Sequence, residues 1–294
     1  MSTLVTRLKT GGVEHVDNAP TLEVSDVSVV YASGTNGLTS MSSRLPDGNH
    51  YALEDISFRV DAGRQVAVVG PNGAGKSTLF KVIVGTIKPN KGSVNVFGHD
   101  PDCHICIAYV PQRNQIDWAF PVTVEDVVMM GRVGQIGLFR WPRRQDWQIV
   151  RESLDRVHAS HLAKKQIGEL SGGQQQRVFI ARALAQGADL LLMDEPFSGL
   201  DAPSHDAILD ILGSLRGDAV TVMVATHDLN LAGEYFDLVM LLNQHIVAYG
   251  LVDEVLTSPN LMRAYGGHMH VVEGQEESLM ITDSCCDHGE EITV

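Results

Sequence analysis

The sequence predicts an α/β protein in which short buried strands alternate with helices. The first indication is the β-branched run Gln65–Val69, which ends in a glycine-rich turn and is followed at once by a helical pattern. The second is that apolar runs of strand length return at Leu190–Met193, Val220–Ala225 and Leu238–Leu242. Between these two groups, Thr123–Ala185 has mostly helical patterns, which indicates a helix-rich segment inserted into an alternating core.

The first hundred residues contain strand signals separated by turns and one long loop. Leu22–Tyr31 alternates apolar and polar residues over much of its length, which predicts a strand. Ala32–His50 is rich in Ser, Gly, Asn and Pro and predicts a loop longer than the usual connection. A helix is predicted from Lys76 to about Ile87, and further strands at Ala52–Val60, Ser93–Phe97 and Ile107–Val110.

The inserted segment begins with a helix start signal. Thr123, followed three residues later by Asp126, resembles a capping box ahead of the apolar run Val127–Met130. Arg143–His161 is polar and periodic, which predicts a surface helix. Because these helices lie inside the alternating pattern, we expect a helical subdomain at about 113–185 and not a second independent domain.

Composition and charge exclude several classes of protein. The chain of 294 residues is 44% hydrophobic and 20% charged, which is ordinary for a globular protein and excludes a disordered or collagen-like chain. Its formal net charge of −14 argues against binding by phosphate neutralisation, so we expect no nucleic-acid partner. Four cysteines in a chain of this length do not make a disulfide framework, which favours a soluble protein of a reducing compartment.

The two ends of the chain differ from its centre. Residues 1–21 form an N-terminal tail without an apolar run after its basic residues, so we expect no secretory signal. No stretch reaches the ~18 consecutive apolar residues of a membrane span. Residues 266–294 contain seven acidic residues and no Lys or Arg, which predicts a flexible tail. A role of this tail in sensing metal stays open, because it contains His268, Met269, His270, Cys285, Cys286 and His288.

The glycine-rich turn after Gln65–Val69 carries a specific motif. It fits G-x-x-x-x-G-K-[ST] between a predicted strand and a predicted helix, the context in which backbone N–H groups and a helix N-terminus surround phosphate. Lys76 would reach the β- and γ-phosphates of a nucleotide, and the Ser77 hydroxyl would bind Mg²⁺. The predicted phosphate-binding residues are Gly70, Pro71, Asn72, Gly73, Ala74, Gly75, Lys76, Ser77 and Thr78.

Two adjacent carboxylates follow the predicted strand Leu190–Met193. Because ligands bind at the carboxyl ends of parallel strands, Asp194 would hold Mg²⁺, directly or through water. Glu195 would act as general base on the attacking water. A solvated acidic turn is the alternative for either residue alone, but a phosphate-binding motif in the same chain favours catalysis.

A second anion-binding helix start is predicted at Ser171, Gly172, Gly173 and Gln174, ahead of an apolar helical pattern. One phosphate-binding loop does not need a second phosphate site from the same chain. The simplest interpretation is that this segment serves the γ-phosphate of a nucleotide bound by another subunit.

Together these motifs resemble those of the nucleotide-binding subunit of ATP-binding-cassette (ABC) transporters. Gly70–Thr78 is similar to the Walker A motif of that family, Leu170–Gln174 to its signature motif, and Leu190–Asp194 to its Walker B motif. The resemblance spans about 22–265 and implies a P-loop ATPase core with an inserted helical subdomain and an antiparallel β lobe.

Three shorter motifs follow the family order as well. Gln112 ends a segment similar to the Q-loop, Asp201 ends one similar to the D-loop, and His227 matches the switch histidine. The resemblance implies a homodimer with ATP bound between the P-loop of one subunit and the signature motif of the other. His227 would contact the γ-phosphate, and Gln112 would join Ser77 and Asp194 around Mg²⁺. Gln112 would also couple the nucleotide site to a membrane partner.

The sequence is less specific about the residue that contacts adenine and about the transported substrate. Tyr31 is the candidate for the aromatic side chain that stacks on adenine, with a surface tyrosine at a strand end as the alternative. Ile116–Arg132 and Gly137–Pro142 are similar to the ATPases of bacterial importers for manganese, zinc or iron. This implies a subunit at the cytoplasmic face of the bacterial membrane that powers a separate permease, supplied by an extracytoplasmic metal-binding protein.

Two alternatives to metal import remain. An ABC importer of another substrate, such as an iron-siderophore, would carry the same catalytic motifs, because the ATPase does not touch the cargo. A soluble cassette ATPase of DNA repair or translation is the other. It is disfavoured because the spacing between the motifs is short and the chain carries one acidic cassette.

Overall fold

The computed structural model describes residues 19–31, 50–101, 106–116, 118–137 and 140–266, so the predicted loop after Tyr31 and the acidic tail fall almost entirely outside the described residues. The strands are β1 (Leu22–Tyr31), β2 (His50–Val60), β3 (Gln65–Val69), β4 (Lys91–Val96), β5 (Ile107–Val110), β6 (Leu190–Asp194), β7 (Thr221–Thr226), β8 (Leu238–Asn243) and β9 (His245–Gly250). The helices are α1 (Lys76–Ile83), α2 (Val124–Met130), α3 (Val133–Ile136), α4 (Arg144–Arg156), α5 (Gly172–Gln186), α6 (Ala202–Gly217), α7 (Leu229–Tyr235), α8 (Val252–Val255) and α9 (Ser258–Tyr265).

The described strands form a small antiparallel sheet and a larger, mostly parallel one. In the small sheet β1 lies between β2 and β4 and is antiparallel to both, with Leu22 opposite Val60 on one side and Val96 on the other. The larger sheet has the order β5-β6-β7-β3-β8-β9, in which β9 alone among the described strands runs antiparallel to its neighbour. This α/β architecture with an antiparallel lobe confirms the predicted fold class.

The larger sheet is the middle layer of the molecule. Along β6, Leu190 and Leu192 join the core shared with the antiparallel sheet, whereas Leu191 and Met193 join the core shared with the helices. Successive side chains of a strand point to opposite faces, so a strand covered on both faces needs a continuous apolar sequence. The short apolar runs were predicted as strands for this reason.

Helix α1 ends before the predicted boundary. The helix was expected to continue to about Ile87, but it ends at Ile83 because Gly85 adopts a φ of 77°. The N–H of Ile87 then returns to the carbonyl of Lys81 at 3.1 Å. A glycine in the left-handed conformation after the last helical turn is a common way to end a helix.

The segment between β5 and β6 holds helices α2 to α5, and α5 packs against both α2 and α4. The predicted capping box is confirmed, since Thr123 and Asp126 exchange hydrogen bonds between side chain and backbone at 3.1 and 3.3 Å. A buried ion pair connects Arg132 to Asp146 at 3.3 Å, and Arg132 also donates to the carbonyl of Ala185 at 2.9 Å. The helices of this segment are thereby fixed to one another by one guanidinium group.

The end of the described chain contains elements that sequence patterns did not indicate. Strand β9 is short and edge-exposed, and helices α7 to α9 have eight residues or fewer, so their periodicity is weak. None of the helices in the described part of the chain is long and apolar enough to cross a lipid bilayer.

Candidate active site

The glycine-rich loop lies between β3 and α1, as its sequence predicts. Gly75 is the N-cap of α1 with a φ of 95°, and Lys76 is the first residue of the helix. A Cβ on Gly70 would lie 2.0 Å from the carbonyl oxygen of Leu242, and one on Gly75 would lie 2.4 Å from that of Ala52. These glycines are therefore required by close approach of neighbouring backbone as well as by the shape of the loop.

Backbone hydrogen bonds brace this loop from the sheet beside it. The N–H of Gln244, in the turn between β8 and β9, donates to the carbonyl of Ala74 at 2.9 Å. The carbonyl of Gln244 accepts in turn from the N–H of Glu54 in β2 at 2.8 Å. One turn residue thus connects the loop to the antiparallel sheet, and this connection fixes the direction in which α1 begins.

The side chain of Lys76, the first residue of α1, folds back onto the glycine-rich loop. Its side chain is buried, and its ammonium group donates to the carbonyl oxygens of Gly70 at 2.5 Å and Pro71 at 3.3 Å. The same ammonium lies 3.9 Å from Oε1 of Glu195. A cation at the N-terminus of α1 concentrates positive potential where the loop N–H groups converge, which is the arrangement that binds phosphate.

Glu195 stands directly after β6 with an unusual backbone. Its φ of 49° lies in the left-handed region, and its N–H donates to the carbonyl of Ala225 in β7 at 3.0 Å. Its Oε2 lies 2.9 Å from Nδ1 of His227, whose side chain is 68% exposed. Strain in a non-glycine residue at a strand end is typical of functional sites. The carboxylate therefore stands between the loop lysine and an exposed imidazole.

Asp194 precedes Glu195 but points into a different environment. It is only 1% exposed, and its Oδ2 accepts a hydrogen bond from the hydroxyl of Tyr109 in β5 at 3.3 Å. Burial, together with the charge of Asp194, raises the pKa of the Tyr109 phenol far above its usual value, so the hydroxyl remains a donor. Sequence reasoning singled out Asp194 but gave no role to Tyr109.

The predicted magnesium ligands supply oxygen donors of the kind that Mg²⁺ prefers. Ser77 lies in the first turn of α1, Gln112 follows β5 as the residue before a 3₁₀ turn, and Asp194 ends β6. Among the described residues no group of three or more His, Cys, Asp or Glu side chains is arranged to hold a metal. In proteins Mg²⁺ is usually coordinated by one or two carboxylates, with phosphate oxygens and water as its other ligands. One carboxylate, one hydroxyl and one side-chain amide oxygen fit this coordination.

A helix begins at the position of the second predicted anion-binding segment. Ser171 is the N-cap of α5 and forms a capping box with Gln174, with hydrogen bonds of 3.1 and 3.4 Å. Ser171 is exposed, whereas Gly173 is buried against α6, where a Cβ would lie 2.2 Å from the hydroxyl of Ser204. The loop side of this helix start is therefore open to solvent while its other side is packed.

Side chains from the segment after Gln112 support this helix start. Arg113 donates through Nε to Oε1 of Gln175 at 3.0 Å, and its guanidinium would lie 3.2 Å from a Cβ on Gly172. The indole of Trp118 donates to the carbonyl of Arg113 at 3.0 Å and packs edge-on against Phe179 at 5.5 Å between ring centroids. The contribution of Arg113 was not expected, and no local pattern indicates it.

The remaining predicted residues lie apart from these contacts. Asp201 is the exposed N-cap of α6, and its side chain makes no capping hydrogen bond. Tyr31 ends β1 with its ring 6.1 Å from that of His50 in a tilted arrangement. The roles predicted for both residues stay predictions.

The comparisons with known proteins agree on a family. The family described as "ABC transporter" matches residues 53–198. The chain is 46% identical to the chelated iron transport system membrane protein YfeB of Yersinia pestis, over 84% of this chain and 80% of that protein. It is 46% identical to the manganese transport system ATP-binding protein MntB of Bacillus subtilis, over 74% of this chain and 87% of that protein. It is 44% identical to the zinc transport system ATP-binding protein TroB of Treponema pallidum, over 82% and 90% respectively.

Solved structures give the same result. An ABC transporter in an inward-facing conformation matches with 31% identity and a TM-score of 0.70, over 84% of this chain and 89% of that one. The dimeric post-hydrolysis state of the ATP-binding cassette MJ0796, bound to ADP and Pi, matches with 25% identity and a TM-score of 0.65, over 79% and 98%. The chain belongs to the ABC transporter family as an ATP-binding, ATP-hydrolysing subunit, and the predicted resemblance is confirmed.

Proposed function

We propose that this chain hydrolyses ATP to power import of a divalent metal ion, manganese, zinc or iron, through a separate membrane permease. The observation that carries this proposal is the similarity, at 44–46% identity over most of both chains, to ATP-binding proteins named for manganese and zinc transport. The metal ion is the cargo of the permease, so the residues of the nucleotide site are not expected to bind it.

The chemistry follows from the contacts around Glu195. Lys76 and the loop N–H groups bind and orient the phosphates, and the carboxylate of Glu195 accepts a proton from the attacking water. His227, 2.9 Å from Glu195, orients that carboxylate and lies free to contact the γ-phosphate. Ser77, Gln112 and Asp194 would hold Mg²⁺, which when bound would neutralise part of the negative charge on the phosphates.

The chain acts as a homodimer with each nucleotide site completed by the partner. Ser171 to Gln174 expose helix N–H groups on the loop side of α5, which is the chemistry that binds a γ-phosphate. The matching MJ0796 structure is named as a dimer, which supports this arrangement. Asp201, exposed at the start of α6, belongs to the same interface by its family motif.

The helical segment docks the permease at the cytoplasmic face of the membrane. Its large apolar side chains are unusually exposed, at 58% for Phe120, 47% for Met130, 49% for Val133 and 89% for Trp141. Exposed apolar side chains of this size mark surfaces that bind other proteins. An extracytoplasmic binding protein delivers the metal to the permease on the opposite side.

A chelated form of iron is the second candidate cargo. The similarity to a protein of a chelated iron transport system favours it. The separating experiment reconstitutes the chain with its permease in vesicles and measures ATP-dependent uptake of ⁵⁴Mn, ⁶⁵Zn, ⁵⁵Fe and ferric siderophore, with the Lys76→Ala variant as the inactive control. Uptake of free Mn²⁺, Zn²⁺ or Fe²⁺ alone supports the proposal. Uptake of the siderophore alone, or ATP hydrolysis that responds to nucleic acid and not to the permease, overturns it.

A further inference from the structure

Tyr109 occupies a place in the sheet that directs its hydroxyl toward the predicted metal ligand. Tyr109 is the third of the four residues of β5 and pairs in parallel with Leu192 of β6. Leu192 lies two residues before Asp194. The Tyr109 hydroxyl and Asp194 Oδ2 are 3.3 Å apart. The phenol therefore reaches along the carboxyl edge of the sheet, where the nucleotide site lies.

The Tyr109 hydroxyl supplies a hydrogen-bond donor to a carboxylate that has little access to water. Asp194 is 1% exposed, and among the described residues Tyr109 is the side chain that donates to it. A buried carboxylate without donors is costly, and a metal-binding carboxylate needs its unused oxygen held so that the other can face the metal. Phenylalanine would fill the same volume and leave Oδ2 without this donor.

The backbone of Tyr109 is fixed on both sides. One side pairs with β6 in the sheet. On the other side the guanidinium of Arg182, in α5, donates to the carbonyl of Tyr109 at 3.1 Å, and Gln186 donates to the carbonyl of Ile107 at 2.7 Å. These contacts hold β5 in register with β6 and thereby hold the Tyr109 hydroxyl beside Asp194.

We propose that Tyr109 is a positioning residue for magnesium-dependent nucleotide binding, acting through its hydrogen bond to Asp194. This inference rests on the proposed function, in which Asp194 holds Mg²⁺. It assigns to Tyr109 the task of setting the orientation of the carboxylate before nucleotide and metal arrive.

The test compares two variants that each remove one tyrosine hydroxyl. Tyr109→Phe removes the donor to Asp194. Tyr249→Phe is the matched control, because the Tyr249 hydroxyl donates to the carbonyl of Arg59 at 2.9 Å and Tyr249 packs edge-on against Phe58, away from the phosphate loop. ATP binding is measured at equilibrium with a fluorescent ATP analogue, first in EDTA and then during a Mg²⁺ titration.

For Tyr109→Phe we expect the half-saturating Mg²⁺ concentration to rise roughly ten-fold. This is the low end of the loss of metal affinity that follows removal of a residue hydrogen-bonded to a metal ligand. Binding in EDTA should equal that of the wild type, and Tyr249→Phe should match the wild type in both measurements. An unchanged Mg²⁺ midpoint in Tyr109→Phe would overturn the inference, as would an equal loss of affinity in EDTA, which would indicate a packing role. Wild-type protein that binds and hydrolyses ATP equally well without Mg²⁺ would instead overturn the proposed magnesium site itself.

Discussion

The two halves of the proposed nucleotide site, the phosphate loop and the start of α5, are held in place by different kinds of contact. The phosphate loop is packed against backbone, with Gly70 facing the carbonyl of Leu242 and Ala74 bonded to the N–H of Gln244. The start of α5 is supported by side chains, with Gly173 facing the hydroxyl of Ser204 and Gln175 bonded to Arg113. The phosphate loop is therefore fixed to the backbone of the sheets, whereas the start of α5 is supported by side chains of α6 and of the turn after β5.

This difference bears on which half can move. A carbonyl within a sheet cannot be displaced without breaking hydrogen bonds between the strands, whereas a side chain can turn about 30° away from its rotamer at a cost of about 0.5–1.5 kcal/mol. We infer that the phosphate loop is the fixed half of the site and that the start of α5 is the half that adjusts when a second subunit approaches.

Replacing the proposed general base, Glu195, should separate ATP binding at the phosphate loop from the hydrolysis that follows dimer formation. In Glu195→Gln the shape of the side chain and its contact with His227 are kept, but the general base is lost. We expect turnover to fall by ~10²-fold or more, with ATP binding retained and an ATP-bound dimer that persists. Phosphate release measures the first effect and size-exclusion chromatography with ATP the second. Glu152→Gln, an exposed carboxyl of α4, is the control, and wild-type turnover in Glu195→Gln would contradict the assignment of the base.

A methyl group added to the fixed half should not be tolerated. In Gly70→Ala the new Cβ would lie 2.0 Å from the carbonyl oxygen of Leu242, which can retreat only with β8. We expect a loss of about 3 kcal/mol of folding free energy, at the upper end for overpacking, and a loss of ATP affinity. Chemical denaturation gives the first quantity. Gly213→Ala in α6 is the control, because no atom lies within 4 Å of its Cβ and alanine should stabilise the helix by about 1 kcal/mol.

A methyl group added at the start of α5 should also be harmful, but a second substitution that makes room for it should restore function. In Gly173→Ala the Cβ would lie 2.2 Å from the hydroxyl oxygen and 2.3 Å from the Cβ of Ser204. We expect weaker ATP-driven dimer formation in the Glu195→Gln background and a stability loss of about 1–3 kcal/mol. Adding Ser204→Gly removes both obstructing atoms and should restore most of the dimer. If the double variant were no better than Gly173→Ala, the support of α5 would not depend on this side chain.

The sequence predicted local structure far better than the contacts between distant elements. Strands such as Gln65–Val69 and the capping box at Thr123 are encoded by neighbouring residues, so their bounds were correct. The contact of Glu195 with His227 depends on β6 pairing with β7, which no local pattern specifies, although both residues were predicted to be catalytic. Tyr109 and Arg113 carried no signal, because their partners are 85 and 62 residues away along the chain.

The smallest predicted effect concerns the link between Arg113 and Gln175. Gln175 is 3% exposed and uses its amide nitrogen to reach the carbonyl of Ile167 at 3.2 Å, while its Oε1 accepts from Arg113 at 3.0 Å. Arg113 itself is exposed, so solvent weakens the bond. We expect Arg113→Ala, Gln175→Ala and the double variant to give a coupling of about 0.5–1 kcal/mol in chemical denaturation.

The same cycle in the Glu195→Gln background tests whether this link serves the moving half of the site. ATP-driven dimer formation should weaken in Arg113→Ala, because Arg113 also lies against Gly172 at the start of α5. Equilibrium ATP binding to the monomer should stay at the wild-type level, since the phosphate loop is held by other contacts. Arg151→Ala is the matched control, because Arg151 is likewise exposed and donates through Nε, to the carbonyl of Trp147 at 3.1 Å within α4. Additive effects of Arg113→Ala and Gln175→Ala on both quantities would mean that the two residues act separately, and the start of α5 would then owe its position to its other contacts, such as the packing of Gly173 against α6.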